Sequence, residues 1–400
     1  MGALSNTERE AVERASAEPM LEQVEAWAAV NSGSRNLAGL ETTAAMLADA
    51  FSALPCELVL EAAAPVESVD AAGRKIPLEH GRNLHLTVRP NAPVQLLFTG
   101  HMDTVYGPDH PFQELSWLDD GILGGPGVAD MKGGIAVMLA ALKAVESIDE
   151  QHIGYEVVIN SDEEVGSLGS AALLARAARG KRAALTYEPA ALPDGTLAGA
   201  RPGSGNFDFT IHGRSAHAGR NPEDGRNALV AAAELAIRLK DGMGPRLSVN
   251  PARIDGGSPN NVVPDLAVLR VNVRPATLDD QARAQSLIDS SVAMVAANHE
   301  VTIQVHGHFA RPPKPVTPAI ETLFGIVRQA GADLGQSIDW KPTGGVCDGN
   351  NIAACGVPVI DTMGVRGGKI HSPEEYLIVE SLKERAALSA LTILRLAEDA

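Results

Sequence analysis

The chain has 400 residues, 45% of them hydrophobic, enough for a full core and for two domains. Fifty Asp and Glu stand against 33 Lys and Arg, a formal net charge of −17, which argues against nucleic acid or an anionic membrane surface as a partner. Three irregularly spaced cysteines, Cys56, Cys347 and Cys355, argue against a disulfide framework or a Cys-rich zinc site, and Cys347 and Cys355 read as ordinary buried thiols rather than ligands.

The amino-terminal stretch is polar, without the apolar segment of a signal peptide, and predicts an amphipathic helix over Thr7–Val30, with a second over Ala38–Leu54. No run approaches the ~18 apolar residues of a membrane span, so the expectation is a soluble, cytoplasmic protein. Strands are predicted at Glu57–Glu61, Asn83–Val88 and Val94–Phe98, then helix Ile135–Val145 and strand Tyr155–Asn160. A helix near Leu168–Arg179 and strand Ala183–Tyr187 follow. This alternation is the rhythm of an α/β domain with a mixed, mostly parallel sheet flanked by helices. From about Arg201 the pattern changes to strand Asn206–His212, helix Asn227–Lys240, strands Leu247–Ile254 and Asn261–Val273, helix Leu278–Ala297 and strand Thr302–His308. That order, βαββαβ, is a split-βαβ (ferredoxin-like) α+β unit inserted into the larger one. The Pro-rich connector Arg311–Pro315 closes it. Helix Ala319–Ala332, a short strand Val357–Met363 and helix Val379–Ala397 then complete the first unit. The domains are therefore read as 1–201 and 313–400 for the α/β unit and 202–312 for the insert. A cleft between two such units is a favoured ligand site.

Metal-type side chains stand where the α/β strands end. Val94–Phe98 empties into His101 and Asp103, with Asp130 beyond a glycine-rich loop. Tyr155–Asn160 runs into Glu163 and Glu164, Ala183–Tyr187 into Glu188, and the short late strand into the loop carrying His371. In a parallel sheet these ends lie along one edge, where open α/β sheets place their chemistry. Two imidazoles and three carboxylates, His101, Asp130, Glu164, Glu188 and His371, suit Zn²⁺ and also Mn²⁺ or Co²⁺. Charge balance on two divalent ions leaves one acid of the adjacent pair Glu163-Glu164 free to act as a general base. Asp103 is read as a carboxylate that orients His101.

His101-Met102-Asp103, the glycine-rich run to Asp130-Met131-Lys132-Gly133, Asp162-Glu163-Glu164-Val165-Gly166, Glu188-Pro189, Ser215-Ala216-His217-Ala218-Gly219 and Ile370-His371-Ser372 occur in that order. Together they resemble the zinc exopeptidase family of glutamate carboxypeptidase, aminoacylase, acetylornithine deacetylase and succinyl-diaminopimelate desuccinylase. The likeness covers nearly the whole chain and is nearest to glutamate carboxypeptidase. The resemblance implies a two-zinc amide hydrolase acting next to a free carboxylate. Asp130 would bridge the ions, His101 and Glu188 would complete one, and Glu164 and His371 the other; Glu163 would be the base. It further implies a cis peptide at Asp130–Met131 and a homodimer formed through the insert, with His217 reaching the partner's active site. Asn261 and Arg311 would hold the substrate carboxylate, and Gly344 and Gly345 would line the same pocket. The substrate would be a small peptide or an N-acyl amino acid. Members specific for glutamate carry Lys eight residues after the ligand glutamate, where this chain has Thr196. An N-acyl-amino-acid deacylase of the aminoacylase or acetylornithine type is therefore the alternative. A catalytically dead scaffold would lack a ligand or the base, and none is missing.

Overall fold

In a computed structural model of the chain, residues 4–148 and 153–398 are described. Residues 1–3 of the polar amino-terminal stretch, and residues 1–3, 149–152 and 399–400 within the domain bounds given above, lie outside them. Helices α1 (Asn6–Ala17), α2 (Met20–Ala28) and α3 (Leu37–Phe51) come first. The single helix expected over Thr7–Val30 is two, because Pro19 lacks an N–H and disfavours helical backbone at Glu18, whose φ/ψ are extended. Ser5 and Glu8 form a reciprocal capping box at the start of α1.

The central sheet has six strands: β1 (Glu57–Glu61), β2 (Asn83–Val88), β3 (Val94–His101), β4 (Ile153–Asn160), β5 (Ala183–Thr186) and, after the insert, Val359–Ile360. Their spatial order is β1-β2-β4-β3-β5 and then Val359–Ile360. The pairs β4·β3, β3·β5 and β5·Val359–Ile360 are parallel, while the β1 and β2 edge is antiparallel. Both faces of β3 are covered, so its residues are buried almost without alternation. Leu96 and Phe98 join the main core, with Tyr155, Val157 and Ile159 of β4 and side chains of α1–α3. Leu97, Val158 and Ala184 face the other way, toward α5 (Ala171–Ala178). Between β3 and β4, helix α4 (Gly133–Glu146) is apolar on nearly every side, as a fully enclosed helix must be. Gly134 opens that helix because a Cβ there would sit 1.9 Å from the carbonyl oxygen of Tyr187. That close approach seats the helix start against the segment carrying Glu188.

The insert has element order βαββαβ, as expected, with strands β6 (Ser204–His212), β7 (Leu247–Gly256), β8 (Leu266–Pro275) and β9 (Thr302–Arg311). They form a separate antiparallel sheet ordered β7-β8-β6-β9. Helices α6 (Ala228–Asp241) and α7 (Leu278–His299) cover one face, and Phe207, Phe209, Val249, Val271 and Val273 supply its own core. The expected strand Asn261–Val273 starts only at Leu266; Pro259 and Pro264 keep Asn261 in a loop. The remaining helices are α8 (Pro318–Asp333), α9 (Asp348–Ala354) and α10 (Glu380–Glu398). A small antiparallel sheet of Ser116–Asp119, Ile122–Gly124, Gly367–Gly368 and Tyr376–Ile378, not foreseen from the sequence, carries the loop of His371. Among the described residues no helix is long and apolar enough to cross a membrane. Cys347 is buried as expected, but Cys355, just past the end of α9, is exposed.

Candidate metal centre

Three adjacent parallel strands deliver the first groups. In the sheet register His101 lies beside Asn160, and Thr99 lies beside Thr186. The chain segments that follow these positions, Ser161–Glu164 and Tyr187–Glu188, therefore emerge next to His101. Asp130 comes from a kinked segment, Val128–Lys132, entered through Gly127 at φ 75°, a backbone state that favours glycine. The Asp130–Met131 peptide is cis. His371 sits at φ 60° in the loop between Gly367–Gly368 and Tyr376–Ile378.

Asp130 is the hub. Its Oδ1 lies 3.1 Å from His101 Nε2 and its Oδ2 3.3 Å from His371 Nε2. Glu188 Oε2 is 3.7 Å from the same His101 nitrogen, and Glu164 Oε2 is 3.0 Å from His371 Nε2. Ligand atoms of His101, Asp130 and Glu164 lie close enough to share an ion, as do those of His101, Glu163 and Glu188. The Nδ1 of His101 faces the backbone oxygen of Asp103 at 3.0 Å and its carboxylate at 3.4 Å. Asp103 is fully buried and accepts from the N–H groups of Glu163 and Glu164 and from the Ser34 hydroxyl. One carboxylate thus ties the end of β3 to the Glu163-Glu164 turn.

Glu163 is buried, and Arg311 Nη2 donates to its Oε1 and to its backbone oxygen, each at 2.8 Å. The other Arg311 contacts are Asp348, Asn351 and Ser167. The guanidinium expected on a substrate carboxylate is therefore fully engaged by the protein in this conformation. Gly345 lines the cavity and its carbonyl accepts from Arg201; the Gly344 carbonyl accepts from Arg274. Arg201 in turn pairs with buried Asp361 at 2.8 Å. Lys314 Nζ is 3.0 Å from the same carboxylate, near enough for an ion pair though not aligned for a hydrogen bond. His217 and Asn261 do not line this cavity; both lie on the insert, where the Asn261 carbonyl accepts from the N–H of Ala218. His217 Nδ1 accepts from the N–H groups of Gly219 and Arg220. Thr196, where a lysine was looked for, does not line the cavity either.

Glu375 escaped the sequence reading. Its buried carboxylate accepts from the N–H groups of Gly127 (3.3 Å), Ala129 (3.0 Å) and Asp130 (3.0 Å), and from the Tyr106 hydroxyl (3.1 Å). It joins the His371 loop to the Asp130 loop. The only signal in the sequence is a second acid after Glu374, which nothing in the local pattern marks as buried. His80 is likewise buried, 3.6 Å from Asp162, with neither ring nitrogen hydrogen-bonded.

Electrostatics bear on whether these residues suit a cation. Burial pushes Glu163 and Glu188 up to about 8 and Glu164 up to about 7, with neighbouring carboxylates adding to the effect. Burial, reinforced by Asp130, holds Glu375 near 7. Hydrogen bonds to Asp130 and Glu164 lift His371 to about 11. Glu188 Oε1 is enclosed without a hydrogen-bond partner. An orphaned buried carboxylate oxygen amid acids that resist ionisation is an environment that a divalent ion satisfies, so the donor set fits a metal.

The site opens into a cavity of about 950 Å³ bounded by Asp130, Glu164, Glu188 and His371 on one side and by β6, β7 and β8 of the insert on the other. The sequence profile of peptidase family M20/M25/M40 matches residues 97–395. Carboxypeptidase G2 of Pseudomonas sp. (strain RS-16) is 30% identical over 330 residues, 79% of this chain and 77% of that protein. Succinyl-diaminopimelate desuccinylase of Psychrobacter sp. (strain PRwf-1) is 28% identical over 75% of this chain and 79% of its own length. The crystal structure of a dinuclear metal binding peptidase of the M20 family from Bacillus subtilis superposes with a TM-score of 0.65 at 15% identity, covering 94% of this chain and 97% of that one. The chain belongs to peptidase family M20/M25/M40 and is a metal-dependent hydrolase.

Proposed function

We propose that the protein is a dinuclear zinc hydrolase that cleaves an amide bond next to a free carboxylate, a carboxypeptidase of the glutamate carboxypeptidase type. One observation carries this reading: each oxygen of Asp130 faces a different histidine, and each histidine has its own glutamate. In this assignment Asp130 would be shared, His101 and Glu188 would hold one ion, and Glu164 and His371 would hold the other. Bound divalent ions supply Lewis acidity to the carbonyl and lower the pKa of water.

The chain's own groups do the rest. Glu163 takes the proton of the attacking water and passes it to the leaving nitrogen. Arg311 holds Glu163 in place because its Nη2 donates both to the carboxylate and to the backbone oxygen of that residue, and Asp103 fixes the turn behind it. Substrate carboxylate binding falls to Arg274, which lines the cavity and has no carboxylate partner among the described residues. The two N–H donors on His217 Nδ1 place its own proton on Nε2, making that nitrogen a donor for a developing oxyanion. We assign this donor to the partner subunit's site, in a homodimer built through the insert (202–312), which also serves as a lid. In this reading the Gly344-Gly345 loop completes the substrate pocket, and Asn261, which lies beside His217 on the insert, is assigned with it to the partner subunit's site.

The second reading, an N-acyl-amino-acid deacylase, keeps the same chemistry; the desuccinylase relative, at 28% identity, favours it. The zinc-loaded protein is assayed for release of the C-terminal residue from dipeptides and for deacylation of N-acetyl and N-succinyl amino acids, before and after chelation. Glu163→Gln is expected to lower kcat by at least about 100-fold, the lower range for a general base. Undiminished turnover by that variant, or by chelated protein, contradicts the proposal.

A further inference from the structure

The wall of the cavity opposite the metal centre is a row of carboxamides. Asn206 on β6 lies in register with Asn272 on β8, and Asn272 with Asn250 on β7. Their sequence neighbours Phe207, Val271, Val273 and Val249 are buried in the insert's core, so strand alternation places the three asparagines on the opposite, open face. All three line the cavity that also holds Asp130, Glu164, Glu188 and His371.

Asparagine is depleted in strands, and three at matched positions on adjacent strands is costly for a sheet that needed only a polar surface. Their hydrogen bonding is incomplete. Asn272 is satisfied, donating to Asn206 Oδ1 at 2.8 Å and to Ser204 Oγ at 3.1 Å while accepting from Arg274 at 3.0 Å. Asn206 Nδ2 and the whole Asn250 carboxamide have no side-chain hydrogen bond among the described residues. The row therefore offers donors and an acceptor, without charge, beside the guanidinium assigned to the substrate carboxylate.

Neighbouring strands are about 4.8 Å apart, so the row spans roughly 10 Å, the length of about three residues of extended chain. Tyr376, on the His371 side, is the only aromatic residue lining the cavity among the described residues. Among the described residues no aromatic side chain of the insert lines the cavity. We propose that the acyl side of the substrate is a peptide segment, whose alternating N–H and C=O groups bond to Asn206 and Asn250 while Asn272 holds the row and Arg274 in register. This rests on the amide-hydrolase reading above and names its substrate class: peptides longer than two residues, not aroyl amino acids.

Three substrates with the same C-terminal residue test it: N-acetyl, N-benzoyl and N-acetyl-dialanyl. With the zinc-loaded protein, kcat/KM for the dialanyl compound is expected to exceed that for the benzoyl compound at least tenfold. In Asn206→Leu/Asn250→Leu, close in volume and on an exposed face, the dialanyl-to-acetyl ratio of kcat/KM is expected to fall about tenfold, the loss of two hydrogen bonds. Calorimetry on Glu163→Gln protein, with and without the two leucines, reads the same ratio in Kd. A preference for the benzoyl substrate, or an unchanged ratio in the leucine variant, overturns the subsite alone. Hydrolysis of none of the three overturns the amide-hydrolase reading and the subsite with it.

Discussion

Replacing Glu375 separates the metal centre from the fold that carries it. Its carboxylate accepts from the N–H groups of Gly127, Ala129 and Asp130 and from the Tyr106 hydroxyl, and it is 1% exposed. A hydrogen bond to a charged group contributes about 1.5–3 kcal/mol, and each buried donor left unpaired costs about 1–3 kcal/mol. Some of these donors will find water in the space vacated, so Glu375→Ala is expected to lose about 3–5 kcal/mol of stability. Glu375→Gln keeps the shape and one acceptor oxygen, the Oε1 that serves Ala129 and Asp130, and should lose less. Both changes loosen the Asp130 peptide, and loss of such a supporting contact weakens metal binding about 10–100-fold. Zinc titration by calorimetry on protein stripped of metal, alongside thermal unfolding of the same samples, reads the two effects apart. Wild-type zinc affinity in both variants, with only a lowered Tm, would refute the role given to Glu375.

Metal-free protein should lose stability as pH rises from about 4.5 to about 8. Glu163, Glu164 and Glu188 have folded pKa values raised to about 8, 7 and 8, so the stability they contribute is full below their ordinary value near 4.5 and is lost as pH climbs through the raised ones. The Tm of chelated protein is expected to fall across that window and to recover on adding zinc; a flat profile would contradict the clustering. Arg311→Met leaves Asp348 and Glu163 buried without their cation, at a cost of about 3–5 kcal/mol in chemical denaturation. Its kcat should fall more than its KM rises, whereas a change confined to KM would return Arg311 to direct substrate binding. Asp361→Asn strips the charge between Arg201 and Lys314 and should cost a similar amount in chemical denaturation, and a loss below about 1 kcal/mol would contradict the buried pairing.

The sequence makes the α/β core legible because its parallel strands are enclosed on both faces. A run such as Val94–Phe98 has no surface pattern to confuse it, and its end is marked by a turn to polar residues. The six candidate groups at positions 101, 130, 163, 164, 188 and 371 stand out in the sequence for the same reason, each just past an apolar strand or in a glycine-rich loop. The helix break at Pro19 follows from local chemistry alone, against the continuous apolar pattern that predicts one helix. The small sheet of Ser116–Gly124 with Gly367–Ile378 was not readable: strands of two to four residues carry too few positions for alternation to show. Arg311 marks the sharper limit. Its type and place suggested a ligand for a substrate carboxylate, but its partners, Glu163 and Asp348, are 148 and 37 residues away in sequence and are set by how the insert's last strand meets the α/β unit. Glu375 was hidden similarly, since its donors are backbone N–H groups that any sequence supplies.

Everything proposed for the reaction depends on cations gathering at Asp130. The most direct measurement is an anomalous difference map from crystals of the zinc-loaded protein, recorded on both sides of the zinc absorption edge. Two peaks should flank the Asp130 carboxylate, one against His101 and Glu188 and the other against Glu164 and His371, with Glu163 bound to neither. A single peak, or peaks that leave Asp130 unliganded, would contradict the account.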